Sequence, residues 1–326
     1  MDSIEIVRSC SQRTAGVVLR SDLLAEGMQP PDIRRLLASG VLVHVDVGIY
    51  ALAASVPYFQ DMYRCRVLGY LQTRHEESPC VLTGLSALVL DGLPVWASID
   101  DICIGRDHSH GPKSGRVKNL GRIPSDQTAI ATCGPVGPYV AATAARSVCD
   151  SARYGPIVNT VAAGDAVLRT GMTTAGAIDE ILATMRGMKN IAMARFATSL
   201  LDGASESPGE SASRLRLHRL GVPAPTLQQE IYDEAGFIGR VDFLWEKFGI
   251  VGKYDGRFKY GRSNPAQRPP EEVLFEEKRR EDRLRAAGYI VVRWTTEDLK
   301  HPERFRRLII GAFQQAARLR KTRLAV

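Results

Sequence analysis

Apolar positions along this chain change their spacing more than once. Residues 6–20 and the following SDLLAEG space them as short helices do, with Ser21 or Asp22 available to cap the second. In PPDIRRLLASG, Pro30 and Pro31 open a third helix, Asp32 lies in its first turn and Gly40 stops it. VLVHVDVGIYAL then alternates around a turn near Asp46–Gly48, which predicts a β-hairpin. The pattern next predicts a helix over 57–77 and another in TGLSALVLDGLP, ended by Gly92 and Pro94. Short strand-like runs between Gly/Pro/Ser loops fill 95–140. Helices return over 141–200, broken at Gly155–Pro156 and Thr170–Gly171.

The last third has the clearest pattern. Ser205–Gly209 reads as a loop and Glu210–Leu220 as a helix stopped by Gly221. LQQEIYD, FIGRVDFLW and GIVGKYD read as three strands joined by tight turns at Glu234–Gly236 and Glu246–Gly249. EEVLFEEKRREDRLRAAG is an amphipathic helix with a glycine cap, YIVVRW a buried strand, and 302–320 a basic terminal helix. The expected architecture is α/β (α+β multidomain) in three parts: 1–55, 56–200 and 201–326. The first has the outline of a winged helix-turn-helix, the second is a mixed α/β segment, and the third is a mixed sheet flanked by helices.

Composition narrows the class. The chain has 326 residues, 44% of them apolar and 24% charged, which fits a globular protein and excludes a disordered or collagen-like one. No run approaches roughly 18 uninterrupted apolar residues, so no membrane span is expected. The N-terminal MDSIEIVRSCSQRTAGVVL lacks a basic-then-apolar leader, and the six cysteines include no CxxC pair. A cytoplasmic protein with free thiols is the expectation. The charge is uneven: residues 1–213 hold 19 Lys/Arg against 21 Asp/Glu, and residues 214–326 hold 24 against 15. A polyanion is the natural partner of the basic third, and a solvated face is the plainer alternative.

The chemistry concentrates in that third. Asp242 stands inside the apolar strand VDFLW, where a carboxylate is costly without a partner. Asp255 ends the next strand, which hairpin pairing brings near, and Glu210 on the preceding helix is expected to face the same corner. Three carboxylates from separate elements suit Mg²⁺ or Mn²⁺, which activates water against a phosphodiester. The plainer reading has Asp242 capping or paired with Arg240 or Arg293, and Asp255 serving only the Asp-Gly turn.

SESPGESASRLRLHRLGVPAPTLQQEI, GRVDFLW, VGKYDGRFKYG and EKRREDRLRAAGYIVVRW together resemble the actinobacterial restriction-endonuclease-like domain. That domain is related to very-short-patch-repair endonucleases within the PD-(D/E)xK superfamily. The resemblance covers about residues 203–310. It implies a metal-dependent DNA endonuclease, with Glu210 as the helix glutamate, Asp242 as a direct metal ligand and Asp255 as the aspartate of an E-x-D pattern. The glutamate of that pattern falls at Lys253, a cation where an anion is expected. Two readings stand: an inactivating substitution, or a migrated catalytic lysine that stabilises phosphoryl charge, a role for which Lys259 and Lys278 also qualify. Impaired activity is the expectation.

SQRTAGVVLRSDLL, IRRLLASGVL and VGIYAL resemble the winged helix of AbiEi-type antitoxins from type IV toxin–antitoxin systems. LTGLSALVLDGLP and AARSVCDSAR resemble the region that follows it in those proteins. This resemblance implies an alternative: a non-enzymatic repressor of its own operon, with a toxin partner or a homodimer. Either reading fits defence or DNA processing, and DNA as partner. The expected DNA contacts are Arg34, Arg35, Arg257, Lys278, Arg279, Arg280 and Arg293. Residues 1–55 carry 5 basic and 6 acidic groups, so a winged helix that contacts protein remains open. His108 and His110 sit in a Gly/Ser loop without ligand partners, Arg146 and Asp150 are spaced as a helix-face pair, and Trp245 and Trp294 suit strand cores.

Overall fold

A computed structural model describes residues 2–73, 80–107, 116–256 and 270–324. The chain is a mixed α/β protein of two compact units, residues 1–201 and 202–326. Residues 1–55 and 56–200 lie in the first unit, and the division falls between residues 201 and 202.

Unit one opens with α1 (Ser3–Arg13), β1 (Val17–Leu19), α2 (Arg20–Ala25), α3 (Pro30–Ala38), β2 (Leu42–Asp46) and β3 (Ile49–Leu52). The single helix expected over 6–20 ends at Arg13. Ala15 and Gly16 take positive φ, and the β-branched Val17–Val18 pairs as a strand with β3. The second helix accordingly starts at Arg20 with Leu19 as its cap residue, not at Ser21 or Asp22. The three strands form an antiparallel sheet in the order β1-β3-β2. One cluster packs Val7, Leu23, Ile33 and Leu36 of the helices on Val18, Leu42 and Tyr50.

The sheet's remaining side chains explain why the two segments join. Val17, Leu19, Val45, Ile49 and Ala51 belong to the core of the following segment, with Tyr63, Val67 and Leu68 of α4 (Phe59–Thr73). The helix comes so close at Gly69 that a Cβ there would lie 2.7 Å from Ile49. Beyond it come β4 (Val81–Leu82), α5 (Gly84–Leu90), β5 (Ile102–Gly105), β6 (Val117–Asn119), β7 (Thr128–Thr132) and β8 (Pro138–Ala142). These strands form a mixed five-stranded sheet, β6-β5-β4-β8-β7. Four helices follow: α6 (Ala144–Tyr154), α7 (Ile157–Arg169), α8 (Ala175–Thr184) and α9 (Ile191–Ser199). The pair expected on α6 is buried rather than surface: Asp150 accepts from Arg146 at 2.9 Å, Arg153 at 2.9 Å and Thr83 at 2.8 Å. None of the six cysteines is in a disulfide, and burial pushes the Cys65 thiol up to about 11. His108 and His110 lie outside the described residues.

Unit two runs α10 (Pro208–Leu220), β9 (Thr226–Asp233), β10 (Gly236–Trp245), β11 (Ile250–Asp255), α11 (Pro270–Ala286), β12 (Ile290–Thr295), α12 (Thr296–Lys300) and α13 (Pro302–Leu324). Its sheet has the order β12-β11-β10-β9, antiparallel except for the parallel pair β11–β12, whose connection contains α11. Leu284 of α11 packs with Val251 and Leu244 on one face. On the other, Trp294 packs against Phe243 at a tilt and against Phe305 of α13 edge to face, and donates to Ser213 of α10 at 2.7 Å. Burial of Phe305, Ile309, Ala312 and Ala316 gives α13 one apolar stripe. Among the described residues no helix is long and apolar enough to cross a membrane.

Candidate functional site

β10 and β11 part company at a definite point. Their pairing runs from Trp245–Ile250 to Phe243–Gly252 and stops there, although both strands continue. At this fork the Asp242 carboxylate accepts the Tyr254 backbone N–H at 2.9 Å. That bond satisfies a donor the opened ladder leaves without a strand partner, which is how the strand tolerates the carboxylate.

Glu210 lies behind the fork, in the first turn of α10. Ser207 caps the helix by accepting the Glu210 N–H, and donates its hydroxyl back to the Glu210 carboxylate at 2.8 Å. The carboxylate also accepts the Glu206 N–H and the Gln228 side-chain amide, both at 2.9 Å. Burial pushes Glu210 above the usual glutamate range. The Glu206 N–H opposes this, and the neighbouring Asp242 charge adds to it. Gln228 stands in β9 between the pairs Leu227–Phe243 and Gln229–Val241, so the register sets it opposite Asp242. Its φ of 51° is left-handed, a strain of about 1 kcal/mol or more for a residue with a Cβ. Its bond to Glu210 holds that conformation.

An open cleft of about 380 Å³ faces Asp242. Lys253, Arg240, Arg280 and Gln228 line it with Phe237, Gly239 and Glu206. Arg240 pairs with Glu206 at 2.8 Å. Lys253 is ion-paired with Glu277 of α11. Glu277 also reaches Arg293 at 3.2 Å, and Arg293 bonds both oxygens of Asp255, at 2.6 and 2.8 Å, and Glu281 at 3.1 Å.

The residues singled out from sequence therefore separate. Glu210, Asp242 and Lys253 gather around the fork, with Arg280 in the same cleft. Asp255 does not line that cleft; Arg293 engages its carboxylate, because the parallel register sets Asp255 two residues beyond the Lys253–Arg293 pair. Lys278 and Arg279 are exposed on α11. Arg34 and Arg35 are exposed on α3 in the other unit, where Arg35 pairs with Asp32 at 3.1 Å. Arg257 and Lys259 lie outside the described residues.

This donor set does not fit Mg²⁺ or Mn²⁺. Glu210 already accepts three hydrogen bonds, Asp255 is held by a guanidinium, and Lys253 brings positive charge to the cleft. Among the described residues, no group of three or more His, Cys, Asp or Glu is arranged to hold a metal. Two site residues escaped the sequence reading. Glu277 carried a signal, since Glu277 and Glu281 are spaced i,i+4 along a helix that crosses over β11. Gln228 carried none.

No protein-family model matches the chain. It is similar to two Mycobacterium tuberculosis proteins, uncharacterized protein MT2308 and uncharacterized protein Rv2248. Each is 29% identical over 136 residues, 42% of this chain and 47% of the relative. The chain thus spans about half the length of the curated relatives it matches. Among solved structures it is similar to the crystal structure of the RV2827C protein from Mycobacterium tuberculosis. There the TM-score is 0.35 and the identity 18%, over 71% of this chain and 88% of that one.

Proposed function

We propose that residues 202–326 form a DNA-binding unit of the PD-(D/E)xK endonuclease-like type, in which phosphodiester hydrolysis is impaired. One observation carries this: at the fork between β10 and β11, the Asp242 carboxylate shares an open cleft with the cations Lys253 and Arg280. The cations suit the non-bridging oxygens of a phosphodiester, and the carboxylate suits orienting a water or taking its proton. The net positive charge after residue 213 supports a polyanionic ligand. Impairment follows from the engagement of Asp255 by Arg293 and from the lysine at 253. The test is binding of full-length protein to DNA at two salt concentrations, with plasmid cleavage in Mg²⁺ or Mn²⁺ and the Lys253→Glu variant alongside. Salt-sensitive binding with little cleavage is expected. Absence of binding in low salt would overturn the reading.

A second reading has its own observation. Ile33 and Leu36 of α3 are buried, whereas Arg34 and Arg35 point to solvent, an arrangement suited to a recognition helix. It favours a non-enzymatic, antitoxin-like repressor. Promoter binding that survives Asp242→Ala and fails with Arg34→Ala/Arg35→Ala, without cleavage by any variant, is the outcome that would establish it.

A further inference from the structure

α11 sends two arginines, one turn apart, towards the β9–β10 hairpin, and they behave differently. Arg283 pairs with Asp233 at 2.6 and 3.0 Å and donates to the carbonyls of Gly236 and Phe237 at 3.2 and 3.1 Å. It fixes the hairpin tip. Arg280 makes no hydrogen bond or ion pair with any described residue and lines the cleft. Its stem crosses the strand at Gly239, where a Cβ would lie 2.5 Å from Arg280 Cδ. Among the described residues it is the missing side chain on β10, not a carboxylate, that steers this guanidinium.

Phe237 lines the same cleft and is 52% exposed; Tyr232, its cross-strand partner, is 60% exposed. Their rings are 5.4 Å apart, and the Tyr232 hydroxyl donates to Glu230 at 2.7 Å. The Phe237 ring, open to water and backed by the tilted Tyr232 ring, lies beside a guanidinium that no anion among the described residues engages, and together they offer a stacking face with a phosphate grip. The cleft has the volume of a small-ligand pocket, the scale of a single nucleotide. Ring faces stack on bases only when those bases have left their own stack.

Resting on the reading of this cleft as a phosphodiester site, we propose that it takes an unpaired nucleotide of a nucleic-acid strand, with the base stacked on Phe237 and the phosphate on Arg280. Duplex DNA would then be held elsewhere on the unit and more weakly.

The experiment is fluorescence anisotropy of full-length protein with a mixed-sequence oligodeoxynucleotide, its RNA counterpart and the DNA duplex. At least one single strand should bind about tenfold or more tighter than the duplex. Phe237→Leu, which keeps an apolar side chain but removes the ring, should weaken the single strand about tenfold and leave duplex binding within about twofold. Phe237→Trp should keep the affinity, and its new fluorescence should be quenched when the strand is added; this decides the matter if the leucine variant misfolds. Equal affinity for strand and duplex, with Phe237→Leu neutral and no quenching, overturns the inference while leaving the phosphodiester reading intact. Failure to bind any of the three ligands overturns both.

Discussion

Asp150 and Asp242 are both strand- or helix-borne carboxylates among arginines, yet they do opposite things. Asp150 is fully buried in unit one and is closed off by Arg146, Arg153 and Thr83. Asp242 takes a backbone N–H at the mouth of an open cleft, with Lys253 and Arg280 nearby. A charge enclosed by its partners ties elements together and meets no solute. A charge at a parted ladder, beside a guanidinium that no described anion engages, is available to one. Enclosure, not charge, separates architecture from a site.

The largest test of this contrast is Asp150→Ala. It leaves two guanidinium groups buried without their anion, and about 3–5 kcal/mol of stability in unit one should be lost on thermal or urea unfolding. Asp242→Ala should cost far less stability and act mainly on ligand binding. If the two variants destabilise equally, the contrast is wrong.

Glu210→Ala comes next, at about 2 kcal/mol, because it strands the Glu206 N–H and releases Gln228 from its strained backbone. Glu210 also has a pH signature. Its folded pKa is raised above the ordinary 4.5, so the native state binds this proton more readily than the unfolded chain does. Its favourable contribution is present in acid below 4.5 and is lost as pH rises through the raised folded value. Urea unfolding should therefore show Glu210→Gln gaining stability relative to the parent as pH rises across that window; a constant difference would refute the assignment.

Smaller, about 1–2 kcal/mol, is the coupling between Lys253 and Glu277. Lys253→Glu alone sets two carboxylates together beside Asp242 and should weaken both folding and DNA binding. Lys253→Glu/Glu277→Lys should recover most of the lost stability. A double variant no better than the single would show that the pair contributes nothing. Smallest in stability, about 1 kcal/mol or less, is Gly239→Ala, since the Arg280 arm can swing away from the new Cβ. Its mark should be a loss of nucleic-acid affinity in the same direction as Arg280→Gln.

Much of unit two was legible before folding. The strand runs of β9, β10 and β11, the Glu234–Gly236 and Glu246–Gly249 turns, and the glycine after α11 announced their elements. The Ser207 cap was missed: Ser205–Gly209 read as a loop, whereas the helix begins at Pro208 with Ser207 accepting the Glu210 N–H. Unit one was less so, because α4 is buried nearly all round and its helical pattern gave no hint that one side belongs to the preceding sheet. At the candidate site, Asp242 was conspicuous as a carboxylate in an apolar strand. Asp255 looked equally suitable and is not at the cleft.

By itself the sequence determined the order of the longer elements in residues 202–326 (though not the short α12), the surplus of positive charge there, and the carboxylate that an apolar strand must accommodate. These follow from local periodicity, turn chemistry and counting. Partner choice was decided only in three dimensions. Lys253 meets Glu277 across 24 positions and Asp255 meets Arg293 across 38, because the β11–β12 register and the passage of α11 over the sheet set which side chains lie within reach. The left-handed turn of Gln228 is of the same kind. No local preference calls for it, and it stands because Glu210, from another element, holds its side chain.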